Sequence, residues 1–133
     1  MGTLIDSSVL VAWERDQLDL ETQLADYAEE DFAISAITAS ELLHGVHRAT
    51  TPARRNRREA FVEGLLSRLP IIFFDLVTAR IHARLSAELA IKRTSVGPHD
   101  LIIAATALAS DRTVITADAT AFTNLPGVIV RPH

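Results

Sequence analysis

Four acidic side chains are the groups in this sequence best placed to do chemistry: Asp6, Glu41, Asp100 and Asp118. Asp6 and Asp118 each follow an apolar segment that predicts a strand, whereas Glu41 and Asp100 open helices that come after strands. In a parallel sheet the carboxyl ends of the strands open into a crevice where ligands bind. All four acids are therefore expected at the same edge of the sheet.

Carboxylates gathered in this way repel each other unless they are protonated or bridged by a cation. The apolar residues that follow Glu41 and Asp100 indicate that both acids point toward covered space. An all-oxygen ligand set without cysteine favours Mg²⁺ or Mn²⁺ over zinc. The sequence thus predicts a site for one or two such cations.

Each acid also has a purely structural interpretation. Asp6 could be a helix N-cap, and Thr38 and Glu41 have the spacing of a capping box. Asp100 suits the dipole of a helix's first turn, and Asp118 could shape a turn. The shared position of the four acids, rather than any one of them, supports the metal-site hypothesis.

Hydrophobic periodicity predicts the elements that must position these acids. Strands are expected to end near Ile5 and to cover residues 32–35, 71–74, 113–115 and 128–130. Helices are expected over residues 8–15, 20–30, 38–47, about 54–69, 76–92 and 99–110. Strands that alternate with helices predict an α/β fold, a parallel sheet covered by helices on both faces.

Length and composition restrict the class of protein. The 133 residues fit a single domain over residues 1–133. The absence of cysteine excludes disulfides, thiolate zinc sites and cysteine nucleophiles, and fits a reducing cytoplasm. The longest apolar run, residues 101–109, is too short to cross a bilayer, so no membrane partner is expected. The net charge of −4 is not that of a polycation made for nucleic acid.

A basic cluster nevertheless interrupts this acidic chain. It consists of Arg54, Arg55, Arg57 and Arg58. Arg54 and Arg55 lie near a positive helix terminus, an unfavourable place for like charge. The cluster could bind an RNA backbone or an acidic protein, or it could be a solvated helix face.

Four short segments, in this order and spacing, resemble a known family. They are Leu4-Ile5-Asp6-Ser7-Ser8-Val9-Leu10, Ser40-Glu41-Leu42-Leu43-His44-Gly45, Gly97-Pro98-His99-Asp100-Leu101-Ile102-Ile103-Ala104-Ala105 and Ile115-Thr116-Ala117-Asp118. Together they are similar to PIN-domain nucleases, and within these to the VapC toxins of bacterial toxin–antitoxin pairs. The resemblance spans Leu4 to Val130.

The resemblance implies a PIN-like fold with a central first strand and the four acids as catalytic and metal-binding residues. It implies Ser7 and Thr116 as supporting hydroxyls. It also implies a toxin-type, Mg²⁺- or Mn²⁺-dependent endoribonuclease that acts on RNA and is neutralised by a VapB-like antitoxin, with a homodimer and a toxin–antitoxin hetero-oligomer as assemblies. The amphipathic helices near residues 20–27 and 61–69 are candidate dimer surfaces. Two alternatives stay open, a PIN-like module that binds RNA or protein without cutting, and a metal-dependent phosphatase or DNA nuclease.

Overall fold

A parallel five-stranded sheet forms the centre of the molecule in the computed structural model, which describes residues 2–25 and 30–132. The strands are β1 (Gly2–Ile5), β2 (Phe32–Ser35), β3 (Ile71–Ile72), β4 (Arg112–Thr116) and β5 (Val130–Pro132). Their order is β3-β2-β1-β4-β5, and each neighbouring pair is parallel. The predicted α/β class and the central first strand are both confirmed.

Helices connect the strands and cover both faces of the sheet. They are α1 (Ser7–Arg15), α2 (Leu20–Ala25), α3 (Ala36–His47), α4 (Pro52–Arg68), α5 (Leu76–Ile91) and α6 (Pro98–Ala109), with a 3₁₀ turn at Ala119–Phe122. Across residues 2–25 and 30–132, no helix has the length and apolarity required to cross a membrane.

Alternation along the strands divides the core into two layers. Ile5, Ile34 and Ile115 pack against buried residues of α1, α3 and α4. Leu4 and Val114, each one position earlier in its strand, pack on the opposite face against α5 and α6. Successive strand side chains point to opposite faces, so one sheet supplies both layers.

Several predicted boundaries were wrong. β3 ends at Ile72, two residues before the predicted end, and leaves Phe73 and Phe74 exposed. β5 begins at Val130, where the predicted strand was to end. α2 is described only as far as Ala25, and Tyr27 lies outside the described residues.

The start of α4 was also misplaced. Pro52 does not precede the helix but is its first residue, and Thr51 caps it by accepting a hydrogen bond from the Arg54 backbone N–H at 3.2 Å. A proline fits there because the first helical N–H has no intrahelical partner in any case. The arginines therefore occupy the first two turns of α4.

Most of the proposed dimer surface on residues 61–69 is buried inside a single protomer. Val62, Leu65 and Leu69 are buried, and Phe61 and Leu66 pack against the same layer. Most of this helix face is therefore core, which leaves little apolar surface on residues 61–69 for a contact between two copies.

Candidate active site

Asp6 directly follows the central strand β1, and its backbone is hydrogen-bonded to the neighbouring strand β4. Its backbone N–H donates to the Ile115 carbonyl of β4 at 2.9 Å. Its carboxylate Oδ2 accepts hydrogen bonds from Ser8 Oγ at 2.7 Å and Thr116 Oγ1 at 2.8 Å. Asp6 occupies the N-cap position of α1, but its side chain makes no capping hydrogen bond. The carboxylate is thus fixed in the crevice rather than used to begin the helix.

The hydroxyl pair beneath Asp6 also positions the loop that leads to Asp118. Ser8 Oγ accepts from the Ala117 backbone N–H at 3.0 Å, and Thr116 Oγ1 accepts from the Asp118 N–H at 3.0 Å. Thr116 was expected to support the site, whereas the role of Ser8 was missed. The sequence does indicate the contact of Ser8 with Asp6. A hydroxyl two residues after Asp6 falls in the first turn of the predicted helix, close to the end of the strand that carries Asp6.

Glu41 enters the site from α3, and its capping-box interpretation is wrong. α3 begins at Ala36, and the capping residue is Ser35, whose hydroxyl accepts from the Thr38 N–H at 3.2 Å. Glu41 is therefore too far along the helix to reach the helix start. Its Oε2 instead accepts from Ser7 Oγ at 3.3 Å, and His99 Nδ1 lies 3.6 Å from the same oxygen.

Asp100 lies in the first turn of α6 and is the electrostatic centre of the group. Burial raises the pKa of its carboxyl above the usual range, and the negative charges of Asp6, Glu41 and Asp118 raise that pKa further, while His99 lowers it. The Asp100 carboxylate packs closely against Gly97. A Cβ atom at position 97 would lie only 3.0 Å from Asp100 Oδ2, so a larger residue there would crowd the carboxylate. The structure brings the four acids together as the sequence predicted.

Asp118 lies at the open side of this group. It is exposed, and its Oδ1 accepts from Thr120 Oγ1 at 2.6 Å at the start of the 3₁₀ turn. The acids thus run from the buried Asp6 to a carboxylate that solvent or substrate can reach.

The chemistry of this donor set fits a hard divalent cation. All the candidate ligands are carboxylate oxygens, which Mg²⁺ and Mn²⁺ prefer. Glu41 Oε1 is buried and has no hydrogen-bond partner among the residues that the structure describes. Within those same residues, no group of three or more His, Asp or Glu side chains lies close enough together to hold a metal ion as the side chains stand. The acids are electrostatic neighbours with one buried oxygen unsatisfied, a combination that a cation would relieve.

The four clustered arginines do not share one role. Arg58 donates to Glu14 Oε1 at 3.0 Å and to the Gly45 carbonyl at 2.8 Å, so it joins α4 to α1 and α3. Arg55 reaches the Ala49 carbonyl at 3.4 Å. The guanidinium groups of Arg54 and Arg57 are exposed and make no hydrogen bond or ion pair with any other described residue.

Comparison with known proteins identifies the family of this chain. The chain matches the PIN domain over residues 3–127. It is 32% identical to ribonuclease VapC1 of Rickettsia felis over 130 residues, which cover 98% of this chain and 95% of that protein. It is 38% identical to the tRNA(fMet)-specific endonuclease VapC of Salmonella typhimurium over 95 residues, 71% of this chain and 70% of that protein.

The fold is shared across the whole chain with a solved toxin–antitoxin complex. The crystal structure of VapBC2 from Rickettsia felis, bound to a DNA fragment from its promoter, superposes with a TM-score of 0.88. The alignment has 25% sequence identity and covers 100% of this chain and 99% of that chain. The protein therefore belongs to the PIN-domain family, as one of its VapC-type members.

Proposed function

We propose that this protein is a toxin-type endoribonuclease that hydrolyses RNA phosphodiester bonds with the help of Mg²⁺ or Mn²⁺. The observation that carries the proposal is the convergence of Asp6, Glu41 and Asp118 on the half-buried Asp100. The VapC relatives are named ribonucleases or endonucleases, which supports RNA as the substrate.

Asp6, Glu41, Asp100 and Asp118 would hold one or two cations. When bound, such a cation lowers the pKa of a water molecule and neutralises charge that develops on the phosphate oxygens. Ser8 and Thr116 fix the direction of the Asp6 carboxylate. Glu41 or Asp118 orients the attacking water and accepts its proton. Water attacks phosphorus in line, the bond from phosphorus to the 3′ oxygen breaks, and that oxygen takes a proton from solvent, so the products carry a 5′-phosphate and a 3′-hydroxyl.

The RNA must be single-stranded or looped at the point of cleavage. The side chains that carry the reaction lie in a crevice at the sheet edge. Single-stranded segments can splay their bases out and bend into such a crevice, whereas a paired helix keeps its bases stacked inside a rigid A-form duplex. We propose cytoplasmic RNA as the substrate pool.

A cognate antitoxin is the proposed protein partner. The solved relatives include VapBC complexes from Rickettsia felis and Salmonella typhimurium, each crystallised with DNA. We propose that this chain likewise forms a hetero-oligomer with a VapB-like antitoxin, and that it self-associates as a homodimer.

Purified protein incubated with total RNA and Mg²⁺, Mn²⁺ or EDTA tests the activity directly. Mapping of the new 5′ ends should show defined cuts with either metal and none with EDTA. Parallel incubation with single-stranded DNA, a DNA flap and a phosphomonoester separates a ribonuclease from a DNA nuclease or phosphatase. Binding of RNA without any cut would favour the inactive PIN-like module.

Thermal unfolding tests the metal site without reference to activity. Millimolar Mg²⁺ or Mn²⁺ should raise the melting temperature of the wild type and leave that of Asp6→Asn/Asp100→Asn unchanged. A ligand at a hundred times its dissociation constant stabilises by about 2.7 kcal/mol, and weaker saturation gives a shift of a few degrees. Equal shifts in both proteins would place the metal elsewhere.

A further inference from the structure

Two adjoining cavities run from the catalytic acids to the arginines of α4. The first has a volume of 360 Å³, and Glu41 forms one wall of it. The second has a volume of 510 Å³ and is lined by Arg54, Arg57 and Phe61. Glu14, Arg15 and Arg58 line both cavities. A polymer chain that leaves the acids on the Glu41 side can therefore continue into the second cavity.

The charges along this route are not equivalent. Arg58 is paired with Glu14, which cancels the one acid shared by both cavities. The positive charges of Arg54 and Arg57 are not neutralised by an ion pair, because no described residue pairs with either guanidinium. Arg15 lies 3.4 Å from Asp16 in an exposed ion pair, an interaction that contributes little and yields readily to another anion. The second cavity thus has an excess of positive charge that no ion pair neutralises.

Two apolar residues line the second cavity, the partly buried Phe61 and the exposed Leu18. Proteins that bind single-stranded nucleic acid combine a positive groove for the backbone with apolar or aromatic surface for the bases. Both features occur in the second cavity, which shares Glu14, Arg15 and Arg58 with the cavity beside Glu41.

From this geometry we infer that the groove between α1 and α4 is the exit path of the RNA strand, with Arg54 and Arg57 as its phosphate contacts. The inference rests on the proposed ribonuclease function and adds to it the side of the site on which the strand extends. Arg58 is a positioning residue that holds α4 against α1 and α3, and Arg55 points to the Ala49 carbonyl. Only half of the arginine cluster is assigned to RNA.

The test uses an Asp100→Asn background, so that RNA is bound and not cut. Binding of a fluorescent, unstructured single-stranded RNA oligonucleotide is measured at several KCl concentrations with EDTA present. Each lost phosphate contact flattens the slope of log affinity against log salt by about 0.7, so Arg54→Gln/Arg57→Gln should flatten it by about 1.4.

The matched control is Arg80→Gln/Arg84→Gln, which removes the same charge from exposed positions on α5, on the opposite face of the sheet. This control should leave the slope unchanged. Arg54→Gln/Arg57→Gln should melt like its parent, because no described residue pairs with either guanidinium. The control loses only the exposed ion pair between Arg84 and Glu88 at 3.9 Å, which contributes little to stability, so it should also melt close to its parent. An equal slope change in test and control would overturn the inference, since net charge alone would explain it.

Three further outcomes distinguish this inference from the proposed function. If the wild type cuts RNA but the Arg54→Gln/Arg57→Gln slope equals that of its parent, the exit path is wrong and the nuclease stands. If that variant instead loses binding of the antitoxin while its RNA slope is unchanged, the groove belongs to the protein partner. If the wild type cuts no RNA under any metal condition, the proposed function itself fails.

Discussion

Asp100 lies within reach of the negative charges of the other three acids, and Asp100→Asn tests its role as a metal ligand. The amide keeps the shape but cannot serve as an anionic ligand. Loss of a residue that merely supports a metal ligand costs about 10- to 100-fold, so loss of the ligand should cost more than that in the cleavage rate. RNA end mapping measures the loss, and an Asp100→Asn protein with wild-type activity would refute the assignment.

The same substitution should not destabilise the metal-free protein. Because the native pKa of Asp100 is raised, the native state binds its proton more tightly than the unfolded state does. Stability of the wild type therefore falls as pH rises from the unfolded pKa through the higher native pKa. Asn does not ionise, so the stability of Asp100→Asn relative to wild type should increase across that window. Urea unfolding in EDTA at several pH values measures it, and a relative loss with rising pH would contradict the reasoning.

Ser8 provides a second prediction at the level of single residues. Its hydroxyl donates to Asp6 Oδ2 and accepts from the Ala117 N–H, so Ser8→Ala frees the carboxylate and loosens the Asp118 loop together. We expect metal affinity to fall by about 10- to 100-fold, as for other residues that orient a metal ligand. The metal dependence of the melting temperature reports it. Ser67→Ala, which removes an exposed hydroxyl on α4, is the control and should bind metal like the wild type.

At the scale of elements, the position of Glu41 depends on where α3 begins. Ser35 caps that helix, so Ser35→Ala should lower the free energy of unfolding by about 1 kcal/mol. Ser40→Ala makes the same chemical change at an exposed site of the same helix and should stay within about 0.5 kcal/mol of wild type. Urea unfolding compares them. A larger loss in Glu41→Ala, which removes the side chain a capping box needs, than in Ser35→Ala would restore the capping-box interpretation.

The starts of α3 and α4 differ from the prediction because hydrophobic periodicity does not determine at which residue a helix begins. Thr38 and Glu41 have capping-box spacing, but Ser35 and Thr38 also stand three residues apart, and only the end of β2 decides between them. The predicted helix start near residue 54 left Pro52 outside α4, although proline is common as the first residue of a helix. Local sequence allowed both outcomes in each case, and packing against the sheet selected one.

The site itself was far more predictable than those boundaries. Asp6 and Asp118 follow strand ends, and in a parallel sheet those ends lie at one edge whatever the precise helix limits are. Glu41 and Asp100 needed only an approximate helix start to reach the same edge. The hydrogen bond from the Ala117 N–H to Ser8 Oγ and the ion pair between Arg58 and Glu14 were not predictable, because each joins segments far apart in the chain.

At the scale of the whole molecule, apolar surface is concentrated where β3 ends early. Phe73, Phe74, Leu76 and Val77 are 71%, 45%, 65% and 56% exposed. Phe74 also lines a cavity of 360 Å³ together with Ala36, Ile37, Ser40 and Ile102. Contiguous exposed apolar surface of this kind marks an interaction site in soluble proteins. This surface replaces residues 61–69 as the proposed contact between two copies.

A twofold contact places the same surface of each copy against the other, so one substitution introduces its charge twice. Phe73→Asp/Leu76→Asp should therefore reduce the mass measured by light scattering from twice 14.5 kDa to 14.5 kDa. The fold should survive, because both side chains are exposed and an acid at the first position of α5 suits the helix dipole. Ile129→Asp alters another exposed apolar residue, just before β5, and should leave the dimer intact. A wild type of monomer mass at micromolar concentration, or a doubly substituted protein that remains dimeric, would show that this surface does not join two copies.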